Sequence, residues 1–402
     1  MQRVVIVGAS LAGLRAAQAL RKRSFAGSIT LIGEEPHAPY DRPPLSKQLL
    51  SGEWPAEKLF FHNREKHDAL ELEQRVGVAA RSLSVSTNEV ELANGERVPY
   101  DGLIIATGAR TRQLAAAKDL AGVYCLRTLD DALAIRAALE HKPRVVVVGA
   151  GFIGLEVAAS CRKLGLAVTV VEPQTLPLLG PLGAAAARSV HELHRGHSVE
   201  FHLGRAVTAV QGTGRVECLL LDDGSALDCD LLVVGIGVDP ETRWLAGSGV
   251  ALEARGGGVI CDSTLATNVP NIVAAGDVVR WPNAGNSERV SVPHWSNAVE
   301  QGQAAATRLL EGPSTAPFTH MPYFWSDQYD RKLQSAGSVR GSDVFEVVQG
   351  SLEAASFVGL YSRDDRLTGV LSSNAPAAFL RARKLIAQTA PLSEARAAFA
   401  IR

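Results

Sequence analysis

One pattern of apolar and polar positions occurs twice along the chain. In residues 3–35 and again in residues 144–173, a β-branched run leads into a glycine turn, an amphipathic helical segment, a second β-branched run and an acidic residue. Apolar runs without polar interruption are typical of strands buried on both faces of a parallel sheet. The repeat therefore predicts two βαβ units in an α/β fold.

Other segments indicate how these units are connected. Two apolar strand patterns run into a glycine: YDGLIIATGAR at residues 100–110 and NVPNIVAAGDVVR at residues 268–280. The segment TLDDALAIRAALEH at residues 128–141 has a helical pattern, and the proline-containing EGPSTAPFTHMP at residues 311–322 is typical of a linker. The chain therefore contains more elements than the two repeats alone.

Length and charge narrow the class of protein. The chain has 402 residues, more than one core usually fills, so we expect two or three domains. Its formal net charge of −1 argues against general nucleic-acid binding, which needs a basic excess. No apolar run approaches the length of a membrane span, and a strand begins within three residues of Met1, which leaves no room for a secretory leader. We therefore expect a cytoplasmic protein that binds neither nucleic acid nor membranes.

The first glycine turn, GASLAG, departs from the usual dinucleotide-binding pattern at one position. Gly8 allows the tight turn out of the strand, and Gly13 lets helix and strand pack closely. Ser10 stands where a glycine usually lets the backbone approach a pyrophosphate, but its small hydroxyl side chain can itself reach a phosphate. Glu34 ends the second strand, where a carboxylate accepts hydrogen bonds from ribose hydroxyls. This unit is therefore predicted to bind a dinucleotide.

The second turn, GAGFIG, is complete. Gly149, Gly151 and Gly154 occupy the three glycine positions, and phosphates then lie at the positive N-terminus of the following helix. Glu172 ends the second strand, and its negative charge disfavours a ribose 2′-phosphate. The second unit is therefore predicted to prefer NADH over NADPH.

The glycine-ended strands supply further candidate ligands. Thr107 and Gly108 follow the first apolar strand, and Asp277 follows Gly276 at the end of the second. The carboxylate of Asp277 can hydrogen-bond a polyol there, although an ordinary strand-end aspartate is the alternative. Two dinucleotide sites in one chain favour two different nucleotides.

Redox thiols and metal ligands are not expected. The cysteines are scattered without any C-x-x-C pair, and we interpret them as small buried thiols. In HELHRGH at residues 191–197, His191 and His194 are three residues apart, whereas H-E-x-x-H requires four. We therefore predict no metal site.

Seven motifs occur in the order that is typical of one family. They are GASLAG, PYDRPPLSK, ATG, GAGFIGLE, AAGDV, HWSNAVEQG and PYFWSDQY. Several are shared by flavoprotein disulfide reductases in general, whereas PYDRPPLSK and PYFWSDQY together are much narrower. On these motifs the whole chain resembles the FAD-dependent, NADH-using ferredoxin reductases of bacterial oxygenase systems, which serve ring-hydroxylating dioxygenases and class I cytochromes P450.

This resemblance implies a glutathione-reductase-like α/β fold with two Rossmann-like dinucleotide-binding domains and a C-terminal α+β interface domain. Residues 1–110 and 237–318 would form a discontinuous FAD-binding domain. Residues 111–236 would form the NADH-binding domain, and residues 319–402 the C-terminal domain.

The resemblance also implies roles for individual side chains. Arg42 would lie along the FAD phosphates, and Lys47 would reach the flavin N5 edge with Glu156, in the first turn of its helix, as carboxylate partner. The prolines of PYDRPPLSK would restrain the two basic side chains. Trp295 would lie against the flavin ring, next to Ser296 as the expected helix N-cap. A solvated helix position for Glu156 and core packing for Trp295 are the alternatives.

The implied residue sets are as follows. The catalytic residues are Lys47, Glu156 and Trp295. The FAD-binding residues are Gly8, Ser10, Gly13, Glu34, Arg42, Lys47, Thr107, Gly108, Asp277 and Trp295. The NADH-binding residues are Gly149, Gly151, Phe152, Ile153, Gly154, Glu156 and Glu172, with the two apolar residues of GAGFIG along the nicotinamide slot.

The implied reaction passes hydride from NADH to FAD and then single electrons to a small acidic [2Fe-2S] ferredoxin, which binds transiently. Relatives that reduce disulfides carry a redox cysteine where this chain reads RPPLSK. Candidate docking cations are Arg331, Lys332, Arg381, Arg383 and Lys384, and an ordinary solvated surface charge is the alternative for each of them. The LRARK cluster also fits a dimer interface, so monomer and homodimer both stay open.

Other acceptors and one non-enzymatic function remain alternatives. A rubredoxin, a quinone or monodehydroascorbate could replace the ferredoxin, because the acceptor surface has no motif of its own. A signalling flavoprotein that resembles apoptosis-inducing factor would share the fold and bind NADH. The near-neutral charge and the lack of a targeting segment argue against this last alternative.

Overall fold

The protein is described by a computed structural model that covers residues 1–61, 65, 68–117, 120–254, 256–283 and 288–400. Within these residues the α-helices are α1 (Leu11–Lys22), α2 (Leu129–Leu139), α3 (Phe152–Lys163), α4 (Leu179–Gly196), α5 (Trp295–Glu311), α6 (Pro376–Ala387) and α7 (Leu392–Ala400). The strands are β1 (Arg3–Val7), β2 (Ser28–Gly33), β3 (Leu72–Val76), β4 (Ala80–Ser84), β5 (Glu89–Leu92), β6 (Arg97–Pro99), β7 (Gly102–Ile105), β8 (Ala109–Thr111), β9 (Val123–Cys125), β10 (Val145–Val148), β11 (Val168–Glu172), β12 (Val199–Leu203), β13 (Val207–Gln211), β14 (Cys218–Leu221), β15 (Ala226–Asp228), β16 (Leu231–Val234), β17 (Val238–Pro240), β18 (Val259–Ile260), β19 (Ile272–Ala274), β20 (Val279–Pro282), β21 (Arg289–Val290), β22 (Tyr323–Gln328), β23 (Arg331–Gly337), β24 (Val344–Gly350), β25 (Phe357–Arg363) and β26 (Arg366–Ser373).

The first compact unit comprises residues 1–41, 57–110 and 238–320. Its central sheet is parallel, with strand order β19-β7-β1-β2-β3. Val4 to Val7 of β1 are all buried, because both faces of the sheet are covered. The carboxyl ends of these strands therefore meet at one edge, which is where ligands bind in such sheets.

Helix α1 packs against helix α5 in the same unit. A Cβ atom on Gly302 of α5 would lie 2.4 Å from the carbonyl oxygen of Ala12, so this close approach requires a glycine. The three-stranded sheets β4-β5-β6 and β18-β20-β21 complete the unit.

The second compact unit comprises residues 42–56, 111–237 and 321–402. It contains a second parallel sheet, with strand order β12-β11-β10-β16-β9. The predicted helix of the segment 128–141 is α2, which begins with a capping box: Thr128 Oγ1 accepts from the Asp131 N–H at 3.1 Å, and the Asp131 carboxylate accepts from the Thr128 N–H at 2.8 Å.

The C-terminal part of the second unit has a different construction. Its sheet is antiparallel, with strand order β22-β23-β26-β25-β24. Helices α6 and α7 pack on this sheet around buried side chains such as Phe379 and Val370. Two Rossmann-like parallel sheets and a C-terminal α+β part confirm the predicted fold class.

The compact units and the predicted domains divide the chain differently. The segment 42–56, which contains most of PYDRPPLSK, groups with the second unit, and so do residues 321–402. The three-domain division into 1–110 with 237–318, 111–236 and 319–402 remains a prediction.

No helix among the described residues is both long and apolar enough to span a bilayer.

Candidate functional site

In the glycine turn of the first unit, nearby backbone atoms leave no room for a side chain at Gly8 or Gly13. Gly8 has φ +121°, and a Cβ there would lie 2.0 Å from the carbonyl oxygen of Ala106. A Cβ on Gly13 would lie 2.0 Å from the carbonyl oxygen of Gly8, so the start of α1 lies directly on the turn. Ser10 is the N-cap residue of α1 in extended conformation, and the first turn of α1 carries no acidic residue. The helix N-terminus is thus suited to an anion.

The other candidate ligands of this unit lie at the same edge of the sheet. Glu34 is exposed directly after β2. The Thr107 hydroxyl donates to the carbonyl oxygen of Glu241 at 2.6 Å, and Gly108 has φ +68°. Asp277 follows a left-handed glycine after β19. The parallel sheet therefore brings the predicted residues of the first turn, Glu34, Thr107 and Asp277 to one edge.

Trp295 begins helix α5 and is held by a side-chain hydrogen bond. Its indole Nε1–H donates to Asp41 Oδ1 at 2.8 Å. The N-cap residue of α5 is His294, with φ −120°, so the predicted N-cap at Ser296 is wrong: Ser296 is already the second residue of the helix. His294 is in an extended conformation, with ψ 148°, so the helix begins only at Trp295.

The glycine turn of the second unit has open space next to its middle glycine, Gly151. Gly149 has φ +102°, and a Cβ there would lie 2.4 Å from the carbonyl oxygen of Gly235. A Cβ on Gly154 would lie 2.2 Å from the carbonyl oxygen of Gly149. Gly151, by contrast, has φ −75°, is exposed and has no atom within 4 Å of a Cβ placed on it. No contact among the described residues therefore explains the glycine at 151, which is the position where the dinucleotide-binding pattern lets a phosphate approach the backbone.

The residues after Gly151 form an apolar rim on this turn. The ring of Phe152 lies 4.5 Å from that of Phe324, and Ile153 is 49% exposed. An exposed isoleucine at a helix start is suited to a contact with a planar ligand ring.

Glu172 is fixed at the end of β11 by two backbone donors. Its Oε2 accepts from the Ala150 N–H at 2.7 Å, and its Oε1 accepts from the Gln174 N–H at 3.0 Å. The carboxylate is therefore bonded to the glycine turn itself, where a bound nucleotide would meet it.

Lys47 lies in a short π-helix, Leu45–Leu49, that begins after Pro44. Such turns are rare and occur frequently at functional sites. The preceding Arg42 is also anchored, because its Nη1 donates to the carbonyl oxygen of Arg127 at 2.5 Å. That the prolines restrain the two basic side chains remains a prediction.

Lys47 and Glu156 form a buried ion pair. Lys47 Nζ lies 3.1 Å from Glu156 Oε2, and the two side chains are 10% and 3% exposed. The hydroxyl of Ser46 donates to Oε2 at 2.5 Å, and that of Ser326 donates to Oε1 at 2.7 Å. Burial raises the pKa of Glu156, against the opposing effects of Lys47 and the two hydroxyls. The carboxylate therefore depends on three donors for its charge.

The sequence placed Glu156 correctly beside Lys47 but missed the two serines. The sequence predicted that Glu156 lies in the first turn of its helix, and this is wrong. Glu156 is the fifth residue of α3, because the helix begins at Phe152. Ser46 lies inside RPPLSK and Ser326 inside PYFWSDQY, so both stand in quoted motifs without a role.

The described residues include all five cysteines of the chain. The cysteines are all free; Cys161, Cys229 and Cys261 are buried. Burial raises the pKa of Cys161 and of Cys229 to about 12, so neither is a thiolate near neutral pH. The described residues contain no cluster of metal-binding side chains.

The candidate docking cations differ in how far their side chains are exposed to solvent. Arg331 is 15% exposed at its side chain and donates to the carbonyl oxygen of Ala354. Lys332 is 50% exposed and lies 6.0 Å from the ring of Trp325, and Lys384 is exposed on α6. The exposed cations are therefore better placed to meet an acidic partner than Arg331.

The chain matches two known protein families, one over most of its length and one over its C-terminal part. Residues 2–302 match the family described as pyridine nucleotide-disulphide oxidoreductase, and residues 323–400 match the reductase C-terminal family. The chain is 37% identical to rhodocoxin reductase of Rhodococcus erythropolis over 397 residues, which covers 98% of this chain and 92% of the relative. It is 34% identical over 396 residues to the chlorobenzene dioxygenase ferredoxin reductase component of Cupriavidus sp. (strain PS12), with 98% and 95% covered.

A solved structure has the same fold over the whole chain. The reductase in the covalent putidaredoxin reductase–putidaredoxin complex superposes with a TM-score of 0.91 at 31% identity, covering 100% of this chain and 99% of that one.

Proposed function

We propose a function for this chain from one premise: it belongs to the pyridine nucleotide-disulphide oxidoreductase family. The function is that of an FAD-dependent NADH:ferredoxin reductase. Two electrons from NADH would be passed one at a time to a [2Fe-2S] ferredoxin that supplies an oxygenase or a cytochrome P450. The relatives named as ferredoxin reductase and rhodocoxin reductase support this proposal.

One observation carries the proposal. The segment 36–50 contains the Lys47 of a buried ion pair and no cysteine. All five cysteines are free in this structure, so they form no disulfide that could accept electrons from the flavin. Electrons that enter this chain therefore leave it for an external acceptor.

NADH would bind on the second glycine turn. The N-terminus of α3 would receive the pyrophosphate over Gly151, and Glu172 would accept hydrogen bonds from the adenosine ribose. A 2′-phosphate at that ribose would face a carboxylate held by two backbone amides, so NADPH is disfavoured. Phe152 and Ile153 would contact the nicotinamide.

FAD would bind on the first glycine turn. Gly8, Ser10 and Gly13 would hold its pyrophosphate and Glu34 its adenosine ribose. Arg42, Thr107, Gly108 and Asp277 are proposed as further FAD ligands, and Trp295 as a contact of the flavin ring. Two observations support this fit. Backbone atoms lie so close to Gly8 that the tight turn requires a glycine there, and the first turn of α1 carries no acidic residue that would repel a phosphate.

When bound, FAD supplies the hydride acceptor and the ability to release electrons singly. Lys47 would place a positive charge at the flavin N5 edge, and Glu156 would hold that ammonium in position. The balanced reaction takes NADH and two oxidised ferredoxins to NAD⁺, two reduced ferredoxins and one proton. The protein's own contribution is orientation and fixed charge.

An acidic ferredoxin would dock on basic groups of the C-terminal part. Lys332, Arg381, Arg383 and Lys384 are the proposed contacts. Such an encounter is steered by charge, so its rate should fall as salt is added.

The test is a panel of electron acceptors. Purified protein is first examined for FAD, which is released by heat and identified by chromatography. NADH-dependent reduction is then measured with an oxidised [2Fe-2S] ferredoxin, a rubredoxin, a quinone and monodehydroascorbate. Saturable reduction of the ferredoxin, with the other acceptors slower, is the expected result; a protein that neither contains nor takes up FAD would refute the proposal.

A further inference from the structure

His194 is buried in the second unit, although it belongs to a histidine-rich segment for which the sequence predicts no role. Its side chain has 0% exposure at the C-terminal end of α4. Its Nε2 lies 2.9 Å from Gln328 Oε1, and its Nδ1 lies 3.1 Å from the hydroxyl of Tyr329. An imidazole with both nitrogens bonded has a fixed orientation and tautomer.

Gln328 connects His194 to the buried ion pair. Ser326 and Gln328 lie on the same face of β22, because side chains alternate along a strand, and both are fully buried. Gln328 Nε2 lies 3.0 Å from Ser326 Oγ, which donates to Glu156 Oε1 at 2.7 Å. A continuous chain of hydrogen bonds therefore joins the imidazole to the carboxylate that holds Lys47.

The charge of Glu156 sets the direction of every bond in this chain. An ionised carboxylate only accepts, so Ser326 gives it its single hydroxyl proton and must itself accept from the Gln328 amide. Gln328 then presents its oxygen to His194, which must donate from Nε2. The Nδ1 atom therefore accepts from Tyr329. All donors point toward the carboxylate, which favours its charged form.

Tyr329 anchors the far end of the chain. It has φ +55°, a left-handed conformation that a bulky residue rarely adopts. Its ring is stacked on His197 at a centroid distance of 3.6 Å. The turn after β22 thus directs the phenol toward His194 at some cost in backbone strain, which is typical of functional sites.

The electrostatic surroundings favour a neutral imidazole. Burial lowers the pKa of His194 to about 4. The ionisable groups around the chain are Lys47 at the carboxylate, His191 and His197 beside His194, and Arg162 and Cys161 beside Tyr329. Near neutral pH His194 can therefore act as a one-proton donor toward Gln328.

We propose that His194 and Gln328 are positioning residues that act through Ser326 on Glu156, holding its carboxylate charged and directed at Lys47 while hydride is transferred. This inference rests on the proposed function for its kinetic consequence. The hydrogen-bond chain itself does not depend on turnover.

The first test is ¹⁵N NMR of the FAD-loaded protein labelled at histidine, without NADH or ferredoxin. The His194 resonance, assigned with a His194→Gln variant, is expected to show a neutral imidazole protonated at Nε2 near neutral pH. A resonance protonated at Nδ1, or a cationic ring near neutral pH, would overturn the proposal. This readout needs no catalysis, so it is independent of the proposed function.

The second test is the pH dependence of flavin reduction by NADH, followed between about pH 5 and pH 9. His194→Leu removes the donor to Gln328, and we expect the acid limb to move to higher pH by about one unit, because Glu156 loses support for its charge. His194→Gln can supply an amide donor and should stay within a few tenths of a unit of the wild type. His191→Gln, on the same helix but outside the chain, is the matched control.

The outcomes separate the two claims. If NADH does not reduce the wild-type protein, the proposed function is refuted, but the NMR test of the His194 tautomer still applies. Reduction with superimposed profiles for wild type and His194→Leu refutes the positioning role and leaves the proposed function standing. If the His194→Leu variant does not fold, the tautomer of His194 measured in the wild-type protein tests the positioning role instead.

Discussion

Lys47 Nζ and Glu156 Oε2 are 3.1 Å apart in an environment that leaves these side chains 10% and 3% exposed. Burying two charges costs solvation energy that their attraction often only just offsets, so such a pair is weak evidence for stability. Two serine hydroxyls and a π-helix are nevertheless arranged around it. We therefore attribute the pair to the function proposed for this site rather than to stability.

Replacing one partner should affect stability and reduction together. Lys47→Met leaves the Glu156 carboxylate buried without its counterion, and we expect the free energy of unfolding to fall by about 3 kcal/mol. Urea denaturation measures this change. The double variant with Glu156→Gln should recover most of the stability but not the rate of flavin reduction, which we expect to be at least about tenfold slower in both.

An exposed ion pair in the same unit provides the control. Lys163 Nζ lies 3.2 Å from Glu53 Oε1, with side chains 47% and 51% exposed. Lys163→Met should change the free energy of unfolding by less than about 0.5 kcal/mol and leave reduction unchanged. Equal effects of the two lysine variants would contradict the role assigned to the buried pair.

Gly151→Ala should separate nucleotide binding from folding. The backbone conformation at 151 suits alanine and its Cβ meets nothing within 4 Å, but alanine is a poorer N-cap residue than glycine, so the free energy of unfolding should fall by no more than about 1 kcal/mol. The added methyl group occupies the space proposed for the pyrophosphate, and the KM for NADH should rise about tenfold, or 1.4 kcal/mol.

Gly154→Ala is the comparison for that variant. Its Cβ would lie 2.2 Å from the carbonyl oxygen of Gly149, so it should destabilise the second unit itself. If Gly151→Ala bound NADH as tightly as the wild type, the nucleotide would not lie on this turn.

Glu172→Gln should weaken the preference for NADH. Glutamine keeps one oxygen that can accept from the Ala150 N–H, but its NH2 group cannot accept from the Gln174 N–H, so the charge and one of the two backbone hydrogen bonds are lost. We expect the ratio of kcat/KM for NADPH to that for NADH to rise about tenfold, equivalent to 1.4 kcal/mol. Glu200→Gln, an exposed residue of β12, serves as control. An unchanged ratio would mean that the ribose does not meet Glu172.

Electron transfer should not require cysteine. Cys125 and Cys218 are the partly exposed thiols among the free cysteines, and burial raises the pKa of Cys125. The double variant Cys125→Ser/Cys218→Ser should retain the wild-type rate of ferredoxin reduction, as should protein treated with a maleimide. Loss of activity in both would indicate a thiol relay and contradict the proposed route.

The elements that the sequence predicted well are those with local signals. Helix α2 follows from the helical pattern of the segment 128–141, and the strands before the glycine turns follow from uninterrupted β-branched runs. The partnership of Lys47 and Glu156 came from the family resemblance, and its geometry came from the structure.

The remaining features depend on contacts between residues far apart in sequence. Ser326 reaches Glu156 across 170 positions, and Asp41 reaches Trp295 across 254, and no local pattern predicts either contact. The predicted N-cap at Ser296 was wrong because it rested only on the general preference of serine for caps, whereas this helix has His294 as its N-cap without a side-chain cap hydrogen bond.

The most direct test of the central claim is anaerobic stopped-flow absorbance with sequential mixing. Protein is mixed first with NADH and then with an oxidised [2Fe-2S] ferredoxin. We predict rapid bleaching of the flavin followed by saturable reduction of two ferredoxins per NADH. Rapid bleaching without transfer to any [2Fe-2S] ferredoxin would contradict the proposed acceptor, and slow bleaching with a long-lived charge-transfer complex would favour a signalling flavoprotein instead.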